Sequence, residues 1–199
     1  MSIRSLAQDG RLFVKQRVEG FEAVTGIETR NRYEVMTPEG QAVMWAYEES
    51  GTLGRLFLKR NRPLTLHITD LGGQDVLVAS RAFFWFFMNL EVHGADGRPL
   101  GAIRRKFGVL KRRLVIEDAR GDVVAEVTGS VFRRYTFFIY RLGQEIGRVT
   151  KRWSGIGREM FTDADSFLVE LPIDHGDDDL QYLVLATAFA VDLNFFEDS

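Results

Sequence analysis

The sequence predicts a mainly β protein: a closed antiparallel barrel of about twelve strands around a buried C-terminal hydrophobic helix. Three observations carry this expectation. Five short polar turns containing glycine recur along the chain, the stretches flanking them alternate apolar and polar residues, and the last long segment is apolar on every side. Alternation with period two marks a strand half-buried on one face. A helix without a polar face must be enclosed. A closed sheet of about a dozen strands has a lumen wider than side chains alone can fill, a limit reached near eight strands. A helix roughly 10–12 Å across suits that space.

The turns are Thr37-Pro38-Glu39-Gly40-Gln41, Asp70-Leu71-Gly72-Gly73-Gln74, Ala95-Asp96-Gly97-Arg98, Asp118-Ala119-Arg120-Gly121-Asp122 and Arg141-Leu142-Gly143-Gln144. Each reads as a hairpin connection, because glycine supplies the positive φ that such turns demand. The flanks behave as strands: Leu64, Leu66 and Ile68 share one face and Thr65, His67 and Thr69 the other, while Leu114 and Ile116 alternate with Val115 and Glu117. Glycine spacings of 24 (73 to 97), 24 (97 to 121) and 22 (121 to 143) describe a meander with two strands per period. Two segments interrupt it. Residues 50–63 form a long basic and apolar loop, and Ala82-Phe83-Phe84-Trp85-Phe86-Phe87-Met88 is aromatic without alternation, so it is either buried on both faces or presented to an apolar surface.

After the acidic turn Asp174-His175-Gly176-Asp177-Asp178-Asp179 the chain runs from Leu180 to Phe196 without a breaker. This is the predicted core helix, placed at 178–197, and its leading aspartates suit the positive end of the helix dipole. Seventeen residues at ~1.5 Å each reach only ~25 Å, short of the ~30 Å of bilayer hydrocarbon. Asp192 argues further against a membrane span. Enclosure in protein is expected, with Ala186, Ala188 and Ala190 keeping the helix slim. The expected organisation is an N-terminal segment, 1–11, followed by one barrel domain, 12–199.

Composition fits this picture. The chain has 199 residues, 45% of them hydrophobic, with 26 Lys+Arg against 28 Asp+Glu and no cysteine. Disordered, collagenous and disulfide-scaffold classes are excluded. Thiolate metal sites, thiol nucleophiles and palmitoylation go with the absent cysteines. The start, Met1-Ser2-Ile3-Arg4-Ser5-Leu6-Ala7, lacks a secretory apolar region, so a cytoplasmic location is expected. Charge is strongly partitioned. Residues 98–158 carry 15 basic and 5 acidic side chains, net +10, whereas 159–199 carry eleven acids and no Lys or Arg. Either the middle meets an anionic partner or the acidic tail folds back on it.

Four segments resemble the phospholipid scramblase family: Glu22 to Val35, Arg62-Pro63-Leu64-Thr65-Leu66, the more specific Arg152-Trp153-Ser154-Gly155-Ile156-Gly157-Arg158-Glu159-Met160-Phe161-Thr162-Asp163-Ala164-Asp165-Ser166-Phe167, and Val191-Asp192-Leu193-Asn194-Phe195-Phe196-Glu197. The similarity covers nearly the whole chain from about residue 12. It implies the Tubby-like barrel, a fold shared with the LURP-one-related proteins, built from twelve strands around a central helix. It also implies calcium-dependent, energy-independent movement of phospholipid between leaflets. A counterpart of the family's proline-rich extension is not expected, and no cysteine is present to form a palmitoylated cluster. Contact with a membrane therefore falls to basic residues, to the loop 50–63 or to the run 82–88, and places the protein peripherally at the inner face of the plasma membrane.

The resemblance also implies an EF-hand-like calcium loop from Asp163 to Asp174. Such a loop needs oxygen donors at positions 1, 3, 5 and 12 and glycine at 6. Here Asp163 and Asp165 fill positions 1 and 3, but position 5 is Phe167, position 6 is Leu168, and the segment alternates like a strand. What remains is a weak exposed calcium site from Asp163 and Asp165, with Glu159 nearby. No nucleophile elbow, P-loop, dinucleotide fingerprint or zincin motif occurs, and His67, His93 and His175 sit in separate segments, so enzymatic chemistry is not expected. The residues that best match a partner are Arg104, Arg105, Lys106, Lys111, Arg112 and Arg113, six cations at one hairpin end, with Phe107, Val109 and Leu110 at its tip. They suit anionic phospholipid or phosphoinositide headgroups, through charge and shallow apolar insertion. A protein partner would instead meet the loop 50–63 or the run 82–88. Nucleic acid is not expected, because sequence-tolerant strand binding wants several exposed aromatics interleaved with the cations and Phe107 alone meets that description weakly.

Overall fold

The computed structural model describes residues 3–7, 9–17, 32–49, 63–82, 88–108, 111–130, 132–133, 135–152, 166–172 and 177–196. A short helix, α1 (Ile3–Leu6), precedes twelve strands: β1 (Arg11–Arg17), β2 (Arg32–Met36), β3 (Ala42–Glu49), β4 (Leu64–Thr69), β5 (Asp75–Arg81), β6 (Asn89–Gly94), β7 (Pro99–Lys106), β8 (Lys111–Asp118), β9 (Val123–Ser130), β10 (Thr136–Arg141), β11 (Gln144–Arg152) and β12 (Ser166–Glu170). The chain ends in α2 (Asp178–Phe195). Each strand pairs antiparallel with its neighbours in sequence, and β1 pairs with β12 through Leu12 against Val169 and Val14 against Phe167, which closes the barrel. The expected architecture is present.

The five predicted turns are the joints of this wall, and four share one geometry. In the turns starting at Thr37, Asp70, Gly94 and Asp118, the first residue's N–H donates to the carbonyl of the residue four places on, at 2.8–2.9 Å, and the glycine three places on donates back. That glycine takes φ between 77° and 87°, a conformation costly for any side-chain-bearing residue. Asp70 and Asp118 tighten their turns by accepting two downstream backbone N–H groups each. A ladder irregularity precedes every one of the five turns, between Val35 and Met36, Ile68 and Thr69, Val92 and His93, Ile116 and Glu117, and Ile139 and Tyr140. Bulges raise local twist, which helps a sheet curl into a cylinder.

Helix α2 fills the lumen. From Leu183 to Asn194 every residue is buried, against inward positions such as Leu12, Val14, Val35, Met44, Ile68, Leu77, Leu90, Val92, Ile116, Val127, Ile139 and Val149. Thr187, which could have left a polar orphan, donates its hydroxyl to the Leu183 carbonyl. Ile3 and Ala7 are fully buried in the same core, so the start of the chain packs with the barrel. No helix among the described residues is long and apolar enough to cross a membrane.

Candidate functional site

An antiparallel barrel built from sequential hairpins returns alternate connections to the same end. The five glycine turns therefore gather at one end, the turn end. The strand ends joined by 18–31, 50–63, 82–88, 107–110, 131–135 and 153–165 gather at the other. The loop 50–63, the aromatic run, the basic hairpin and the segment holding Asp163 and Asp165 are thus connections of one end. Of these, 50–62, Phe83 to Phe87, and Asp163 and Asp165 themselves lie outside the described residues.

The helix is oriented by charge along this axis. Its N-terminus lies at the turn end, where the Asp177 side chain caps the Leu180 N–H at 3.0 Å. Arg98, on the β6–β7 turn, grips Asp179 through both carboxylate oxygens at 2.7 and 2.9 Å. That bidentate bond holds the Asp179 carboxyl below the ordinary carboxylate range. The Asp118 carboxyl is held low as well, first by the Asp122 backbone N–H and then by Arg120. Cations at the turn end are thus tied to acids: Arg98 to Asp179 and Arg120 to Asp118 and Asp122. A cleft of about 460 Å³ lies beside the helix N-terminus, lined by Arg120, Asp118, Asp177 and Asp179.

The C-terminus of α2 carries no basic residue in its last turn. Barrel strands supply the cations that its negative dipole end favours. The guanidinium of Arg105 stands 5.2 Å from the Phe195 ring centre, and that of Arg112 stands 5.3 and 5.5 Å from Phe195 and Phe196. The Lys151 ammonium lies 4.3 Å from the Phe196 ring centre and 3.6 Å from Asp192, with its side chain only 2% exposed. Tyr33 donates its hydroxyl to the other Asp192 oxygen at 3.0 Å. Tyr135, Phe137 and Phe167 close around Phe196 at 6.1–6.3 Å. The lumen is sealed here by aromatic rings under a set of cations.

The six predicted cations are at this end, but strand alternation separates them. Arg105 and Arg112 lean over the helix end. Arg104 turns outward and is enclosed by two carboxylates, donating to Glu117 at 2.5 Å and lying 3.0 Å from Glu91. The Glu117 bond, with Glu91 in support, pushes the Arg104 guanidinium up from its ordinary value. Arg113 pairs with Glu126 at 3.3 Å. Lys106, opposite Arg113 in the ladder, is exposed. The Lys111 side chain lies outside the described set. Sequence reasoning missed Lys151, Tyr33 and Arg133. The one signal for the first two was Asp192, a carboxylate in an otherwise apolar helix that needed partners.

For calcium the arrangement is restrictive. Ser166–Glu170, the middle of the presumed twelve-residue loop, is strand β12, running from the basic end towards the turn end. Phe167 and Leu168, at loop positions 5 and 6, are thus strand residues that offer neither a side-chain oxygen nor a glycine turn, while Asp163, Asp165 and Asp174 lie outside the described residues. His67 donates or accepts between Asp75 at 3.1 Å and Glu49 at 3.2 Å on the outer wall, the hydrogen-bonded role of a surface histidine.

The family model described as Scramblase matches residues 1–198. Phospholipid scramblase 1 of Mus musculus is 31% identical over 96% of the chain and 62% of its own length. Phospholipid scramblase 1 of Homo sapiens is 29% identical over 98% of the chain and 65% of its own. A phospholipid scramblase family protein of Schizosaccharomyces pombe is 26% identical over 82% of the chain and 46% of its own. The chain thus spans less than two thirds of the length of these relatives. No solved structure matches it.

Proposed function

The chain belongs to the scramblase family, and from that membership we propose that it binds anionic phospholipid at a membrane surface and aids transbilayer phospholipid movement, without catalytic chemistry. The observation that supports this reading most is the concentration of cations at one barrel end. There Lys106 and Arg113 face outward while Arg105 and Arg112 stand over the closing aromatic rings. Near a headgroup layer each such cation contributes about 1 kcal/mol. Arg104 belongs to the same surface as a positioning group between Glu91 and Glu117, and Lys111 joins it by sequence. Attachment would be peripheral, at the cytoplasmic face, where anionic lipid is found. Calcium would enter through Asp163 and Asp165, as a weak site. Heat released on millimolar calcium titration, lost in the D163N/D165N variant, is the expected result, and a flat titration removes that site.

Flotation with vesicles tests the reading directly. Recovery with phosphatidylserine-containing vesicles should greatly exceed recovery with phosphatidylcholine alone and should fall with salt. Equal recovery on both favours a lipid-inert barrel that serves as a protein-interaction module. Reconstitution with fluorescent lipid then separates movement from binding, with and without calcium.

A further inference from the structure

We infer that the barrel meets its membrane end-on, with Phe107 and Phe132 as two wedges entering the headgroup boundary of an anionic bilayer; this rests on the lipid-binding reading above and adds the docking geometry to it. Phe107 is 76% exposed and Phe132 is 94% exposed, the largest values for any aromatic among the described residues. They stand on separate tips, the β7–β8 and β9–β10 connections. Strands β8 and β9 pair with each other, Lys111 opposite Ser130, so the two tips are adjacent on the rim. Each is chemically flanked for an anionic surface. Lys106 precedes Phe107 and lies opposite Arg113. Arg133 follows Phe132, with its guanidinium 5.7 Å from the Phe138 ring centre. The Ser130 hydroxyl accepts the Phe132 N–H at 3.2 Å and fixes where the second tip departs from its strand. Large rings standing in water beside cations form the pattern of an interfacial anchor, apolar body inward and charge at the headgroups.

Charge selects this end over the other. Leu71, Val123 and Leu142 are also exposed, but on the turn end. There Asp70, Asp75, Asp96, Asp118, Asp122, Asp177, Asp178 and Asp179 outnumber Arg98, Arg120 and Arg141, and Arg98 and Arg120 are already paired with carboxylates, so an anionic bilayer is repelled on balance. The occupant is therefore a lipid surface carrying negative charge, approached by the rim that holds Phe107 and Phe132.

The absence of cysteine permits a clean test. Single variants F107C, F132C and L142C, each carrying an environment-sensitive fluorophore, are mixed with vesicles of phosphatidylserine and phosphatidylcholine containing nitroxide-labelled lipid. The expected result is a blue shift and quenching at 107 and 132 with none at 142. The unlabelled F107S/F132S variant should keep the wild-type melting temperature while its vesicle affinity falls about tenfold or more, as for removing buried apolar area. Wild-type protein that floats while probes at 107 and 132 stay in water overturns the end-on geometry and leaves lipid binding standing. Quenching at 142 instead overturns it by reversing the orientation. Wild-type protein that does not float overturns the binding reading and this inference together.

Discussion

The two ends of the barrel are made in different ways. At the turn end, structure is mostly local. Asp70 and Asp118 bond within four residues of themselves, glycine relieves each tight turn, and Arg120 neutralises neighbouring carboxylates, while Arg98 reaches Asp179 from 81 positions away. At the basic end, structure is long-range. Tyr33 and Asp192 meet from 159 positions apart, and cations of β7, β8 and β11 converge on the last turn of α2. The lesson is a difference of origin: short-range turn chemistry sets most of one end, whereas strand register gathers cations and longer connections around the helix terminus at the other. Loops that bind are usually set on rigid frames.

The sharpest way to break this contrast is at the long-range end. The D192A substitution strands the Lys151 ammonium inside the barrel, and a loss of about 3–5 kcal/mol is expected from chemical denaturation. The double variant K151M/D192L, apolar on both sides, should recover most of it. If D192A is neutral, the ion pair does not secure the helix end. The next effect is on binding. K106Q and R113Q should each weaken affinity for phosphatidylserine vesicles about fivefold, matching ~1 kcal/mol per cation, whereas R120Q at the turn end should leave vesicle affinity unchanged. Equal losses from both ends would erase the asymmetry.

Smaller effects sharpen the turn end. Leu142 is the one non-glycine among the described residues with positive φ, at 50°, and its side chain is fully exposed. L142G should therefore gain ~1 kcal/mol by relieving that conformation, read as a higher denaturation midpoint. Least of all, R98Q should lower the melting temperature slightly and change its acid limb. Asp179 and Asp118 titrate below the ordinary carboxylate range when folded. Their contribution is present above about pH 4, the unfolded value, and is lost as pH falls through the folded values. R98Q should shift that loss to higher pH, an outcome read from melting curves across the acid range.

Legibility followed the same division. The five turns, the alternation of β4 and β8, and the enclosed helix were readable because their causes lie within a few residues. The basic hairpin was only half readable. Arg112 shares its strand face with Leu114 and Ile116, and Arg113 with Val115, so alternation already separates neighbours that adjacency in sequence groups together. The Lys151–Asp192–Tyr33 cluster was invisible as a set, because strand register and helix insertion, not sequence proximity, create it.

The central claim is that this protein engages its membrane as an intact barrel with α2 held inside. Replacing Arg98 and Asp179 with cysteines in this cysteine-free chain and joining them with a short bifunctional maleimide would clamp the helix to the wall at the turn end. Clamped and unclamped protein should bind phosphatidylserine vesicles equally well. Binding that survives in the unclamped double variant but disappears on clamping would mean that the helix must leave the barrel, and would contradict the account.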